Sequence, residues 1–293
     1  MSNIHVHTNE IDWQTINPFP GQELSSVRFK ELLNREQAGC KGWIFGVAEI
    51  PAHGKLPLHT HRNDITIYIF SGNARVQLGA RAVELEPFSA AYFPSKKPHS
   101  IEALGREPLS YLYTYVCEEE PQTIDWELAD EKAASRLIIE NKPDTRWAIN
   151  EEFEKWEYWE PSKGSRLRYR TLFDDEHGNT REGVAIYSVA PNTHYTRHIH
   201  GDPEIYYIVS GHGIMSVEGS EYAVNPGSAL YIRPSVVHGI DNFGDEPLKN
   251  YVIFGTKTLE GWTPVEDVYT EVRLNNADLM YRNFHYGNTD ELG

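Results

Sequence analysis

The chain repeats itself. His59-Thr60-His61 recurs as His198-Ile199-His200, an offset of 139 residues. The same offset carries Tyr68 onto Tyr207, Ser71-Gly72 onto Ser210-Gly211, Pro87 onto Pro226, Ser89-Ala90 onto Ser228-Ala229, Tyr92 onto Tyr231, His99 onto His238 and Ile101 onto Ile240, with no gap. A register held that far marks a tandem duplication, and a unit of that length is an ordinary domain size. The 293-residue chain is therefore expected to hold two domains of one fold, residues 22–118 and 160–257, with a connector at 119–159 and tails at 1–21 and 258–293.

Within each copy, short runs rich in Ile, Val, Tyr and Phe (43–50, 66–70, 183–189, 205–209 and 229–232) alternate with turn residues such as Gly72, Pro87, Gly211, Gly219, Pro226-Gly227 and Pro234. That spacing predicts an all-β sandwich or barrel of many short strands. Helix is predicted only at 128–139 and 27–33. The segment 118–160 carries 14 acidic and 5 basic residues, so −9 of the net −16 lies there, yet it also holds Trp126, Trp147, Trp156 and Trp159. Four tryptophans predict a segment that packs on the barrels rather than a solvated linker.

The charge balance, 27 Lys+Arg against 43 Asp+Glu, opposes polyanionic partners, so neither nucleic acid nor an anionic membrane surface is expected. Two cysteines without a Cys-x-x-Cys pair, and no apolar leader, read as a reduced, cytoplasmic protein. No G-x-S-x-G, P-loop or G-x-G-x-x-G pattern opens a hydrolase or nucleotide reading.

The histidines carry the chemistry. Alternate side chains of a strand share a face, so His198 and His200 point one way, and Glu204 and Tyr206 return to that face if the strand resumes after the turn. With His238 they make a three-imidazole, one-carboxylate set for a divalent metal. Iron(II), manganese, nickel, zinc and copper all accept such mixed nitrogen and oxygen ligands. The first copy keeps His59, His61 and His99 but has Ile65 and Ile67 where the second has Glu204 and Tyr206. Asp64 is adjacent but of the wrong parity. Two readings stand for this copy: a neutral three-histidine metal centre in an apolar pocket, which the retained spacing favours, or a decayed site whose histidines persist in the core.

The string His198-x-His200-x3-Glu204-x6-Gly211, followed by Gly227, His238 and Asn242, resembles the two signature motifs of the cupin superfamily. Departures are Thr and Tyr rather than Gly ahead of His198, and Arg233 and Ser235 where the family has Pro and Gly. They touch turn geometry and leave the ligand set whole. The resemblance implies two tandem cupin barrels (double-stranded β-helix, or jelly roll) with a short helical, acidic connector, each able to hold a metal, and a chain able to self-associate into a homo-oligomer. The first copy is similar to gentisate-type and other three-histidine dioxygenases of the superfamily. The second shares its HxHx3ExY block with cupin lyases and sugar isomerases.

What the resemblance implies first is an iron(II) dioxygenase acting on a small organic substrate, enolisable or a carboxylated aromatic, that ligates through oxygen. Arg62, Arg75, Arg197 and Arg233 are then candidates to hold a carboxylate. The alternative is a non-oxidative lyase, isomerase or decarboxylase using the metal as Lewis acid, with Tyr206 as general base. A third reading is a small-molecule-binding cupin without catalysis.

Overall fold

The structure, a computed structural model, describes residues 5–21, 26–117, 123–135, 147–151, 156–159, 165–176, 178–179, 181–255 and 262–265. The chain forms two compact units, Met1–Glu154 with Leu172–Arg181, and Lys155–Thr171 with Glu182–Gly293.

In the first unit a short strand β1 (His5–His7) precedes β2 (Gln14–Ile16), β3 (Val27–Leu33), the one-turn helix α1 (Arg35–Ala38), β4 (Gly42–Ile50), β5 (Lys55–Thr60), β6 (Ile65–Ser71), β7 (Asn73–Leu78), β8 (Arg81–Leu85), β9 (Ser89–Phe93), β10 (His99–Leu104) and β11 (Leu109–Cys117). The connector adds β12 (Glu127–Leu128), α2 (Glu131–Ser135) and β13 (Ala148–Asn150). Two sheets result, ordered β13-β9-β6-β11-β4-β3-β2 and β12-β5-β10-β7-β8. Their apolar faces share one core: Ile65, Ile67 and Ile69 of β6 and Tyr111, Tyr113 and Tyr115 of β11 lie in a single cluster with Leu56, Val76 and Ile101 of the facing sheet. Period-two alternation sends those residues to one face of each strand, which is why such short runs suffice to close a barrel.

The second unit repeats this plan with β14 (Glu157–Trp159), β15 (Leu167–Phe173), β16 (Gly183–Val189), β17 (Thr193–Ile199), β18 (Glu204–Ser210), β19 (Gly213–Val217), β20 (Ser220–Val224), β21 (Ser228–Ile232), β22 (His238–Asn242), β23 (Leu248–Phe254) and β24 (Thr263–Pro264). Its sheets run β21-β18-β23-β16-β15-β14 and β20-β19-β22-β17-β24. The all-β, two-barrel expectation holds.

The duplication extends to backbone torsions that the sequence hides. His53 and Asn192 (φ 60° and 52°), Gly79 and Glu218 (58° and 50°), Phe88 and Gly227 (69° and 101°), and Lys96 and Ser235 (59° and 59°) are all left-handed and all 139 residues apart. Counted back from His198, the Gly of the family's first motif falls at Asn192 rather than at the Thr or Tyr nearer the ligands, and Ser235 stands at a Gly of the second. The turn is kept and a non-glycine residue carries it, a strain of order 1 kcal/mol that Asn tolerates best.

Two helix expectations fail. Residues 27–33 are β3, which pairs with β4 from Arg28↔Glu49 to Leu33↔Phe45. Phe29 and Glu31 line the barrel interior, while Arg28 pairs with Glu49 and Lys30 sits over the Trp13 ring outside, so cross-strand partners overrode a local pattern. Of 128–139, Leu128 is extended in β12 and only Glu131–Ser135 is helical. The last four residues of that run lie outside the described residues. His194 lies buried in β17. Cys40 and Cys117 are buried, and no helix among the described residues is long and apolar enough to cross a membrane.

Candidate metal centres

Each barrel brings its three sequence-marked histidines together inside. In the first, β5 supplies His59 and β10 supplies His99, directly paired across the strands, and His61 follows β5 by one residue. All three are at least 98% buried, and one ligand nitrogen from each lies within 4.8 Å of the others. In the second, His198 of β17 pairs with His238 of β22, and Glu204 opens β18. His198, His200, Glu204 and His238 meet the same 4.8 Å criterion. Asp64, as parity required, is not in the triad: it accepts hydrogen bonds from the Tyr92 hydroxyl (2.8 Å) and the Ser95 amide (2.6 Å).

The hydrogen bonding of the rings tests whether these sets fit a cation. His59, His99, His198 and His238 each donate Nδ1–H to the carbonyl two residues earlier (Pro57, Lys97, Thr196 and Val236, at 2.6 to 2.8 Å), and His61 donates to the Asp125 carbonyl. Committing Nδ1 as donor leaves Nε2 as a bare lone pair, the tautomer a metal requires. The Nε2 atoms of His59 and His61 then face each other at 3.1 Å, an arrangement that repels unless a cation lies between. Burial holds His59 near pKa 3 and His61 near 4, and drives His99 well below its ordinary value. Burial and the neighbouring His238 likewise hold His198 near 3. His59, His61, His99 and His198 are thus neutral imidazoles at physiological pH, whereas at His200 burial is outweighed by the Glu204 carboxylate, which raises that ring above its ordinary value. Both donor sets, with their Nε2 atoms turned to one point, fit a divalent metal.

The two sets differ in charge. Glu204 Oε2 lies 3.1 Å from His238 Nε2 and 3.4 Å from His200 Nε2. Burial works against its ionisation, but those two rings hold the carboxyl well below the usual carboxylate range. The second set therefore brings one negative charge to a dication and the first brings none. Tyr206 is 1% exposed, its ring 6.2 Å from that of His238, and its hydroxyl meets no hydrogen-bond partner among the described residues. Burial and the Glu204 carboxylate push its ionisation well above the ordinary value. The protonated phenol stands there as a hydrogen-bond donor beside the Glu204 carboxylate.

Space differs as well. A cavity of about 240 Å³ opens on His59, His61 and His99, lined by residues including Ala48, Leu56, Ile67 and Trp126. The equivalents of Ala48, Leu56 and Ile67 are Tyr187, Tyr195 and Tyr206, whose rings pack within 6.1 to 6.4 Å in the second barrel.

Both sites are roofed by a tryptophan that the repeat analysis missed. Trp126 lies against His59 and His61 (5.3 and 4.7 Å between ring centroids), and Trp262 stacks on His198 (5.3 Å). Each precedes a two-residue strand with one register: Glu127↔Thr60 in β12 and Thr263↔Ile199 in β24. The closing bonds also match, Ala129 N to Leu58 O and Val265 N to Arg197 O, both 2.9 Å. The pair is 136 residues apart rather than 139, so an ungapped comparison passes over it. Trp126, expected only to pack, forms a wall of the first site.

The arginine candidates are not in either site. Arg62 is engaged by Asp125 (3.5 Å), Arg75 by Glu84 (2.7 Å), Arg197 by Ser216 (2.9 Å) and Asp241 (3.5 Å), and Arg233 by Glu218 (2.6 Å). Among the described residues neither Arg nor Lys lines the cavity.

Comparison with known proteins follows this geometry. The cupin domain profile matches residues 46–115 and 185–254. Curated relatives include an uncharacterized protein of Methanocaldococcus jannaschii (37% identical over 79 residues, 25% of this chain and 62% of that protein), an acireductone dioxygenase of Bacillus pumilus (33%, 25% and 43%) and a dimethylsulfoniopropionate lyase of Ruegeria pomeroyi (32%, 27% and 53%). The chain thus spans only 43 to 62% of these relatives' own length. Among solved structures, an oxalate decarboxylase of Bacillus subtilis superposes with TM-score 0.66 at 18% identity, over 96% of this chain and 84% of that one. That of Lactobacillus farciminis gives 0.68 at 18%, over 90% and 89%. The chain belongs to the cupin superfamily, with two cupin domains in tandem.

Proposed function

We propose that the protein is a metal-dependent enzyme whose turnover site is the His59–His61–His99 centre, acting as a dioxygenase on a small, enolisable or aromatic substrate that ligates through oxygen. The observation that carries this reading is the cavity: it is an apolar chamber whose polar end is three Nε2 lone pairs. Iron(II) is the metal of first choice, and manganese, nickel, zinc or copper suit the same donors. When bound, such a metal supplies a Lewis acid with open positions for substrate and, if iron, for dioxygen. A triad without a carboxylate leaves it a full dication, which favours a ligand arriving as an enolate or phenolate.

The chain's own residues do the rest. The carbonyls of Pro57, Lys97 and Asp125 fix the three rings. Ile65, Ile67, Leu56 and Ile101 exclude water from the chamber, and Trp126 covers it. Because no guanidinium among the described residues lines the chamber, a carboxylate anchor on the substrate is not part of this reading. One of the curated relatives is named a dioxygenase, which supports it.

The second centre favours a second reading. Tyr206, with a buried hydroxyl beside the Glu204 carboxylate, stands next to a four-ligand set suited to Lewis-acid chemistry, and a relative named a lyase and a structural neighbour named a decarboxylase support a non-oxidative role there. Oxygen uptake by iron-loaded protein against enediols, diketones, catechols and thiols separates the two. The proposal expects uptake that His99→Ala abolishes and His238→Ala does not. Turnover that proceeds equally without oxygen, and that only His238→Ala removes, would replace it with the second reading.

A further inference from the structure

The far wall of the first cavity holds a second polar group set. Glu31 of β3 pairs with Gly46 of β4, Gly46 with Tyr113 of β11, and Tyr113 with Ile67 of β6, so the four form one row across the sheet, on the face that lines the cavity. At ~4.8 Å per strand, Glu31 stands ~14 Å across the sheet from Ile67. Gly46 makes the row possible: a Cβ there would sit 2.7 Å from the Tyr113 hydroxyl and 2.1 Å from the Lys30 carbonyl. The Tyr113 hydroxyl is buried and has no hydrogen-bond partner among the described residues. Asn34 donates to Oε1 of Glu31, leaving Oε2. Among the described residues that line the cavity Glu31 is the only carboxylate, and none is a lysine or arginine.

We infer that this cavity takes a substrate of three parts: an oxygen-chelating head at the triad, an apolar body, and a hydroxyl or ammonium tail that donates a hydrogen bond to Glu31 and meets the Tyr113 hydroxyl. A carboxylate tail is rejected, because it would face Glu31 with no cation to balance it. The inference rests on reading the triad as a metal centre and adds which end groups the site selects. A tail that cannot donate to the half-buried Glu31 carboxylate loses a charge-assisted hydrogen bond, a selectivity of about tenfold for one group.

Calorimetry on zinc-loaded full-length protein tests it with three probes, the methyl-, hydroxyethyl- and carboxymethyl-substituted catechols, which share a chelating head and differ at the tail. The hydroxyethyl compound is expected to bind about tenfold tighter than the methyl one, and the carboxymethyl compound weakest of the three. Glu31→Gln and Tyr113→Phe should each bring the hydroxyethyl-to-methyl ratio to within about twofold. Equal binding of the methyl and hydroxyethyl probes, tightest binding of the carboxymethyl probe, an unchanged ratio in both variants, or no binding of any probe would overturn the inference. His99→Ala should remove binding of all three. If it leaves all three unchanged, the metal-centre reading fails rather than the tail assignment. The wild-type series stands even if a variant does not fold.

Discussion

The two barrels share a backbone and divide their interiors differently. At one cross-strand position the first has Ile67 facing Tyr113, and the second has Tyr206 facing Val252. One step along, Ile65 faces Tyr115 where Glu204 faces Phe254. In the first barrel the polar groups sit on β11 and β3, and the strand after the HxH turn presents only Ile65, Ile67 and Ile69 to the core. In the second they sit on β18, directly after the ligands. A duplicated chain has thus kept the metal-facing histidines and moved the remaining polarity by one strand, which leaves one interior open and apolar and fills the other with tyrosine. Volume-conserving exchange across a strand pair is well tolerated in cores, so such a swap alters chemistry without costing the fold.

Importing the second barrel's pair into the first is the strongest way to break this contrast. Ile67→Tyr with Tyr113→Val should fill the chamber and reduce turnover by about a hundredfold or more, while zinc or iron content stays at the wild-type level. Retained turnover would mean that the cavity is not the reaction site.

Next in size is the roof. Because Trp126 and Trp262 occupy one register over the two centres, Trp126→Ala and Trp262→Ala should each weaken metal binding at their own site about tenfold, read by competition with a chelator. An effect at one site only would show that the straps are not equivalent.

The smallest expected effect is on stability. The second barrel carries Ala185 where the first carries Gly46. Gly46→Ala crowds the Tyr113 hydroxyl and the Lys30 carbonyl, and should lower stability by about 1–3 kcal/mol in urea melts. Pairing it with Tyr113→Val, the second barrel's residue, should recover part of that loss.

Much of this was legible in the sequence. The duplication, the strand-rich barrels and the six candidate histidines follow from residues that keep both identity and spacing, and Glu204 follows from strand parity. What escaped did so for physical reasons. Trp126 and Trp262 escaped because three residues fewer separate the second roof from its barrel, so an ungapped register passes over them. Tyr113 escaped because its counterpart in the other copy is Val252, and function shifted across a strand pair leaves no matched letter. Residues 27–33 read as helix because what fixes them as a strand, pairing with β4, lies outside their own pattern. The arginines drew notice by proximity in sequence, whereas their partners, Glu84, Asp241 and Glu218, are brought in by the fold.

The most direct test of the account counts metals. Elemental analysis of purified protein should find two divalent ions per chain in the wild type, one in His99→Ala with the second site kept, and one in His238→Ala with the first kept. A single ion per chain, untouched by His99→Ala and lost in His238→Ala, would contradict the central claim that the three-histidine set of the first barrel is a metal centre.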